Sequence, residues 1–169
     1  MSEANAPRKY FEQAVRAPAV IAEPIAPAND RTWSTRLTWL ALFAVPAAVL
    51  VTAAFLTPSA SGHGTHTQLG LPPCGFLVLT GFPCPGCGLT TAFAHMIRGH
   101  FIGAAHANPF GVPLFLVTAA TIPISFAGAV RAFPVIETLE RFHVDKVAIL
   151  LAVTAIFVWI IRITTLILA

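Results

Sequence analysis

Residues 37–57 read LTWLALFAVPAAVLVTAAFLT and contain no charged side chain. An α-helix rises about 1.5 Å per residue, so a run of this length matches the hydrocarbon core of a bilayer, which is about 30 Å thick. Two more runs of spanning length follow at 109–130 and 147–168, and only Arg162 interrupts them. The sequence therefore predicts an all-α integral membrane protein with three transmembrane helices.

The composition agrees with this class. Of the 169 residues, 56% are hydrophobic and 10% are charged, whereas an ordinary soluble domain has about 25% charged residues. The ten Lys and Arg residues form no cluster with aromatic side chains, so no nucleic-acid partner is expected. The lipid bilayer is the expected partner, and other membrane proteins are further candidate partners. Residues 33–169 form the predicted membrane domain, and the proline-rich residues 1–32 a disordered cytoplasmic tail.

The distribution of basic residues predicts the orientation. Five Lys and Arg residues precede the first span, Arg98 alone lies in 58–108, and three lie in 131–146. Because basic loops stay cytoplasmic, the N-terminus is expected inside and segment 58–108 on the outer side. Trp33 and Trp39 suit the aromatic belt at the membrane interface, Arg162 is expected to reach toward the interface, and 131–146 is expected to hold a short interfacial helix.

Segment 58–108 concentrates the residues that carry chemistry. It holds all three cysteines, five of the six histidines and nine of the eleven glycines, and it has no Asp or Glu. Its apolar stretch 76–82 is too short to span a bilayer and is flanked by proline- and glycine-rich turns. We expect a re-entrant or interfacial hairpin that brings Cys74 close to Cys84 and Cys87.

A short amphipathic helix is predicted after this hairpin. Apolar residues recur at helical spacing through 85–98, with Pro85 suited to the first turn and Gly99 to the position after the end. Cys84 would then be the N-cap and Cys87 would lie in the first turn, where the helix end favours a thiolate. A second short helix is expected to end at Gly103 or before the pair at 108–109.

The block PCPGCGLTTAF and the later IRGHFIGAAHANPFG resemble the bacterial membrane family called domain of unknown function 2752. The resemblance covers roughly residues 63–130 and implies a bacterial inner (plasma) membrane protein. This sequence departs from the family pattern at two positions. It has Thr91 where many members have Arg, and His100 where many have an acidic residue. The matching positions are Cys84, Pro85, Cys87, Gly88, Thr90, Arg98, Gly99, Asn108 and Pro109.

Three interpretations of the cysteines remain open from the sequence. A pair with a two-residue spacer suits thiol–disulfide chemistry, with Cys74 as a resolving thiol. The same three cysteines with His66 or His95 would give a Cys₃His set for zinc, and the soft thiolates also suit Cu(I). The third interpretation is a passive one, in which the cysteines stabilise the hairpin.

The passive interpretation leads the functional prediction. The sequence shows no nucleotide motif, nucleophile triad or paired carboxylates, which disfavours a hydrolase or kinase. Arg98 is interpreted as a partner of a lipid headgroup or of carbonyls at a helix C-terminus, and Asn108 as the cap of the second span. We therefore predict a noncatalytic accessory or assembly subunit with a structural cysteine hairpin, the alternative being a membrane redox or metal-binding protein.

Overall fold

The structure of the protein, a computed structural model, describes residues 28–168. Within that range the chain folds into α-helices and one short 3-10 helix, without a strand. The α-helices are α1 (Ala28–Phe55), α2 (Gly75–Thr80), α3 (Leu89–Met96), α4 (Phe101–Ala107), α5 (Gly111–Arg131), α6 (Val135–Arg141) and α7 (Val144–Leu168), and the 3-10 helix is Thr65–Leu69. The all-α prediction is confirmed for the described residues.

Helices α1, α5 and α7 are long and apolar enough to cross a membrane. They confirm the prediction of three such helices, and the helix ends differ from the predicted bounds. The largest difference is at α1, which begins at Ala28, so that residues 28–32 are helical although we placed them in the tail. Residues 1–27 of the predicted tail lie outside the described residues.

One end of the helical bundle is organised by Trp39. Its side chain is 1% exposed, its ring fills the space beside Gly128 of α5, and its Nε1–H donates to the carbonyl oxygen of Phe133 at 2.8 Å. The prediction that Trp39 joins the interfacial aromatic belt is therefore wrong. Trp33 remains 64% exposed and fits that belt. Trp39 is buried because glycine at position 128 leaves room for an indole against the α5 backbone.

The other end carries the buried core, which forms where α3 and α4 pack on the start of α5. Its members are Ala92, Met96, Ala104 and Ala107. The predicted second short helix is α4, but Gly103 lies inside it rather than at its end. A Cβ at position 103 would lie 2.8 Å from Nδ1 of His95. Glycine is therefore used here for a close approach between α3 and α4.

Two further short helices carry exposed apolar side chains. In α2, Val78 and Leu79 are 68% and 87% exposed, and in α6 Ile136 is 72% exposed. The ring of Phe76 in α2 meets Trp159 of α7 edge to face, with centroids 6.4 Å apart. The structure thus confirms a helix within 131–146, while the depth of α2 and α6 in the bilayer stays a prediction.

Candidate functional site

Two of the three cysteines lie in a turn that precedes α3. The N–H of Cys87 donates to the carbonyl oxygen of Cys84 at 3.0 Å, and Gly88 has a left-handed conformation with φ +88°. Helix α3 therefore begins at Leu89, with Gly88 as its N-cap. Our prediction of a helix starting at Pro85 is wrong, because the left-handed Gly88 cannot belong to a right-handed helix. The cysteine that does occupy an N-cap is Cys74, before α2.

The sulfur atoms of the three cysteines converge. Sγ of Cys74, Cys84 and Cys87 all lie within 4.8 Å of one another, and the thiol of Cys84 donates to Sγ of Cys87 at 3.3 Å. All three are free thiols. Thiolates around one tetrahedral metal ion, with metal–sulfur bonds of about 2.3 Å, are about 3.8 Å apart. The sulfur atoms are thus spaced for a common metal ion.

The thiols of this cluster differ in acidity. The backbone N–H of Leu77 and then the thiols of Cys87 and Cys84 lower the pKa of Cys74 to about 7. Burial raises the pKa of Cys87 to about 12, and the neighbouring Cys84 and Cys74 act in the same direction. The thiol of Cys74 is therefore more acidic than that of Cys87.

The cysteines line a cavity of about 340 Å³ together with two histidines, His63 and His66. One ring nitrogen of each histidine faces a backbone carbonyl oxygen: Nδ1 of His63 lies 2.8 Å from that of Ser61, and Nε2 of His66 lies 3.1 Å from that of Pro72. Because a carbonyl oxygen only accepts, these nitrogens carry the proton, and in the neutral ring the other nitrogen keeps a lone pair. Metal-ligating histidines usually donate their second nitrogen in this way.

His95, the other predicted ligand, faces a different cavity, which it shares with Ser59, Gly103 and His106. Its Nδ1 is buried without a hydrogen-bond partner among the described residues. Burial lowers the pKa of His95, and the nearby His100 and Arg98 lower it further. The structure therefore does not bring His95 together with the three cysteines. His66 shares the cysteine cavity, but within residues 28–168 the group of mutually close ligand atoms contains the three sulfurs alone.

Asn108 fastens the cysteine turn to the start of the second span. The side chain is 1% exposed. Its Nδ2 donates to the carbonyl oxygens of Pro85 and Cys87, both at 3.1 Å, and its Oδ1 accepts from the N–H of Phe110 at 3.1 Å. We predicted a cap of the second span, and a bond from the N–H two residues on is the one that a capping side chain accepts, although α5 itself begins at Gly111. Asn108 therefore contacts both the cysteine turn and the start of the second span.

Arg162 of α7 also contacts this turn. Its Nη1 donates to the carbonyl oxygen of Cys87 at 2.9 Å and its Nη2 to that of Ala107 at 3.1 Å. The guanidinium thus points to the cysteine turn, and whether this turn lies at the membrane interface stays a prediction. One helical turn earlier, Trp159 donates to the carbonyl oxygen of Pro83 at 2.8 Å. This i, i+3 pairing on a helix face was the sequence signal that we missed.

The remaining motif residues contact the backbone at separate places, and Arg98 does so at the end of α1 and in α3. Arg98 donates to the carbonyl oxygens of Ala53 and Ala54 at the end of α1, at 3.4 and 2.9 Å, which confirms its interpretation as a carbonyl partner. A Cβ at Gly88 would collide with the carbonyl oxygen of Ala107 and lie 2.7 Å from that of Gly62. The others are placed as follows: Pro85 in the turn, Thr90 in the cavity wall, Gly99 after α3 and Pro109 between Asn108 and α5.

Residues 74–122 match the model of the family described as protein of unknown function (DUF2752). This range begins at the first cysteine and ends inside α5, so it contains the whole cysteine cluster and Asn108 but not Arg162. No curated protein and no solved structure matches the chain. The function therefore has to be argued from the chemistry of the site.

Segment 58–108 offers a narrow set of reactive groups. Segment 58–108 contains no carboxylate, so hard cations such as Mg²⁺ and Ca²⁺ lack their usual ligands there. Three thiols with two histidines beside them form a soft ligand set, which favours Cu(I) and Zn²⁺. The thiols of Cys84 and Cys87 are also close enough to form a disulfide after a small movement.

Proposed function

We propose that the protein is a noncatalytic membrane subunit that holds one soft metal ion, Cu(I) or Zn²⁺, between the thiolates of Cys74, Cys84 and Cys87. The observation that carries this proposal is the convergence of the three sulfur atoms within 4.8 Å. A structural disulfide uses two cysteines and gives no reason for a third sulfur in the same place. A metal ion uses all three.

The residues around the three cysteines also favour metal binding. The amide of Asn108 and the guanidinium of Arg162 hold the carbonyl oxygen of Cys87, so the turn is fixed before any ion arrives. Metal binding displaces protons from thiols, and the lowered pKa of Cys74, about 7, makes the first displacement easy near neutral pH. The cavity beside the sulfurs leaves room for a fourth ligand, for which His66 remains the candidate.

Placement in the membrane belongs to the same proposal. The basic residues up to Arg36 and in 131–146 support a cytoplasmic N-terminus and a cysteine site on the outer side of the membrane. The resemblance to a bacterial membrane family supports a bacterial inner membrane. A membrane-impermeant maleimide added to intact spheroplasts in the absence of metal should then label Cys74. Labelling that requires opened membranes would reverse the orientation and leave the metal site itself in place.

The metal site is tested by anaerobic purification, reconstitution with Zn²⁺ or Cu(I), and elemental analysis. The wild type should retain about one ion per chain after gel filtration, while Cys74→Ser and Cys84→Ser should retain far less. His95→Gln is the matched control, because His95 lies in the same segment but faces another cavity, and it should retain the wild-type amount. Three titratable thiols without bound metal after reconstitution would refute the proposal.

The 3.3 Å separation of Cys84 Sγ and Cys87 Sγ favours thiol–disulfide exchange as a second candidate function. In this reaction the two thiols lose two protons and two electrons, and a disulfide of a partner protein gains them and becomes two thiols. Equilibration with glutathione redox buffers, followed by thiol trapping and mass spectrometry, tests it. A reversible transition of this pair alone supports exchange, while no transition across the buffer range excludes it.

A further inference from the structure

We propose that Arg162 is the positioning residue of the metal site: from the last span it holds the cysteine turn and offsets the negative charge of the loaded thiolate cluster. This inference rests on the metal site proposed above. It assigns to α7, which lies outside the DUF2752 match, a direct part in the affinity and selectivity of the site.

The first part of the inference follows from hydrogen bonding. The guanidinium of Arg162 bridges the carbonyl oxygens of Cys87 and Ala107, which belong to different segments. Ala107 ends α4, and Cys87 lies in the turn before α3. The rigid, planar fork of arginine suits two acceptors at fixed positions. Arg162 therefore fixes the turn that carries Cys84 and Cys87 relative to the core.

The second part follows from charge. Three thiolates leave a net charge of two minus around Cu(I) and of one minus around Zn²⁺. No acidic residue lies in 58–108, and Arg162 is the only charged residue after Lys146. Its guanidinium lies 2.9 Å from the carbonyl oxygen of Cys87, one of the three proposed ligands. At a membrane edge, where water screens charges poorly, such a cation stabilises an anionic cluster strongly.

The two parts predict different effects of substitution. If Arg162 acts only through hydrogen bonds, its replacement by a neutral donor lowers the affinities for Cu(I) and Zn²⁺ equally, because the cysteine turn becomes less ordered whichever ion is bound. If its charge matters, a neutral residue weakens Cu(I) more than Zn²⁺, because the Cu(I) cluster carries the larger negative charge. The ratio of the two affinities thus reports on charge and is insensitive to a general loss of structure.

The experiment measures the affinities of the full-length protein in detergent for Cu(I) and for Zn²⁺, each in competition with a chromophoric chelator. Arg162→Gln should lose Cu(I) affinity by about 10- to 100-fold, the usual effect of changing a residue that supports a metal ligand, and should lose less Zn²⁺ affinity. Arg162→Lys should keep the wild-type ratio of the two affinities. Arg98→Gln is the matched control: it removes an arginine bonded to carbonyls of α1, and it should change neither affinity.

The outcomes separate this inference from the proposed function. A wild type that binds neither ion refutes the metal site itself. A wild type that binds, together with an Arg162→Gln variant of unchanged affinity or of equal loss for both ions, refutes the role of the charge and leaves the metal site in place. Should Arg162→Gln not fold, Arg162→Lys decides, since a change in its ratio of Cu(I) to Zn²⁺ affinity contradicts the inference.

Discussion

The guanidinium of Arg162 donates to the carbonyl oxygen of Cys87 at 2.9 Å, across 75 residues of sequence. This hydrogen bond joins the last span to the turn that carries two of the three cysteines. Asn108 donates to the same oxygen from the start of the second span. The cysteine turn is therefore held by two side chains that are distant from it in sequence. A preformed binding site requires such support.

The amide of Asn108 should contribute strongly to stability. Asn108→Ala removes both donors to Pro85 and Cys87, and a buried polar group left without a partner costs about 1–3 kcal/mol. We expect the free energy of unfolding in detergent, measured by denaturant titration, to fall by that amount. Thr164→Ala is the control, since its hydroxyl is exposed and bonded within its own helix, and a loss as large as that of Asn108→Ala would contradict the assignment.

Gly88 should tolerate alanine less well than Gly81. Both glycines have a left-handed backbone, for which a Cβ costs about 1–2 kcal/mol. Only at Gly88 does the Cβ also collide with the carbonyl oxygen of Ala107, while at Gly81 nothing lies within 4 Å. Overpacking adds about 1–3 kcal/mol, so Gly88→Ala should be the more destabilised variant by thermal unfolding. Equal melting temperatures would show that residues 107 and 88 are not in contact.

Trp39 should be required for packing at the opposite end of the bundle. Truncation of a buried tryptophan costs about 3–5 kcal/mol, so Trp39→Ala should lower the free energy of unfolding by that amount. Trp33→Ala removes an indole that is 64% exposed, and a surface change of this kind costs within about 0.5 kcal/mol in either direction. The same loss in both variants would place Trp39 at the lipid interface, as the sequence had suggested.

Cys74 should be the reactive thiol of the metal-free protein. Its pKa is lowered to about 7, so the thiolate predominates above that pH and the thiol below it. The rate of alkylation by iodoacetamide, followed by mass spectrometry of each peptide, should reach half its maximum near pH 7 for Cys74. Cys87, whose pKa is raised to about 12, should stay unreactive there. A Cys74 profile centred near the ordinary cysteine pKa of about 8.5 would contradict the assignment.

The spans and the convergence of the cysteines were predictable from the sequence. Uncharged runs of spanning length leave little choice in a bilayer, and Cys74 had to approach Cys84 because the stretch between them is too short to cross. The prediction from apolar periodicity failed at 85–98. It placed the start of the helix at Pro85, before Gly88, whereas the helix begins at Leu89. The left-handed conformation of Gly88 depends on its contacts with Ala107 and Gly62, which are distant in sequence.

Long-range partners limited the prediction of the site. Arg162 resembled an interfacial anchor, because nothing in its own helix shows that the carbonyls of Cys87 and Ala107 lie opposite it. The choice of His95 as a ligand had a similar limit: the ring of His95 packs against Gly103, whereas Thr91 of the same predicted face lines the cysteine cavity. The residue types therefore predicted a thiol-rich site, whereas the long-range contacts around it depend on tertiary packing.

X-ray absorption spectroscopy at the metal edge tests the central claim most directly, because it counts the sulfur neighbours of the bound ion. Protein reconstituted anaerobically with one equivalent of Zn²⁺ or Cu(I) should show about three sulfur neighbours, at about 2.3 Å for Zn²⁺, and Cys74→Ser should show fewer. A first shell made of nitrogen and oxygen atoms, or a sulfur count unaffected by Cys74→Ser, would contradict the three-cysteine metal site.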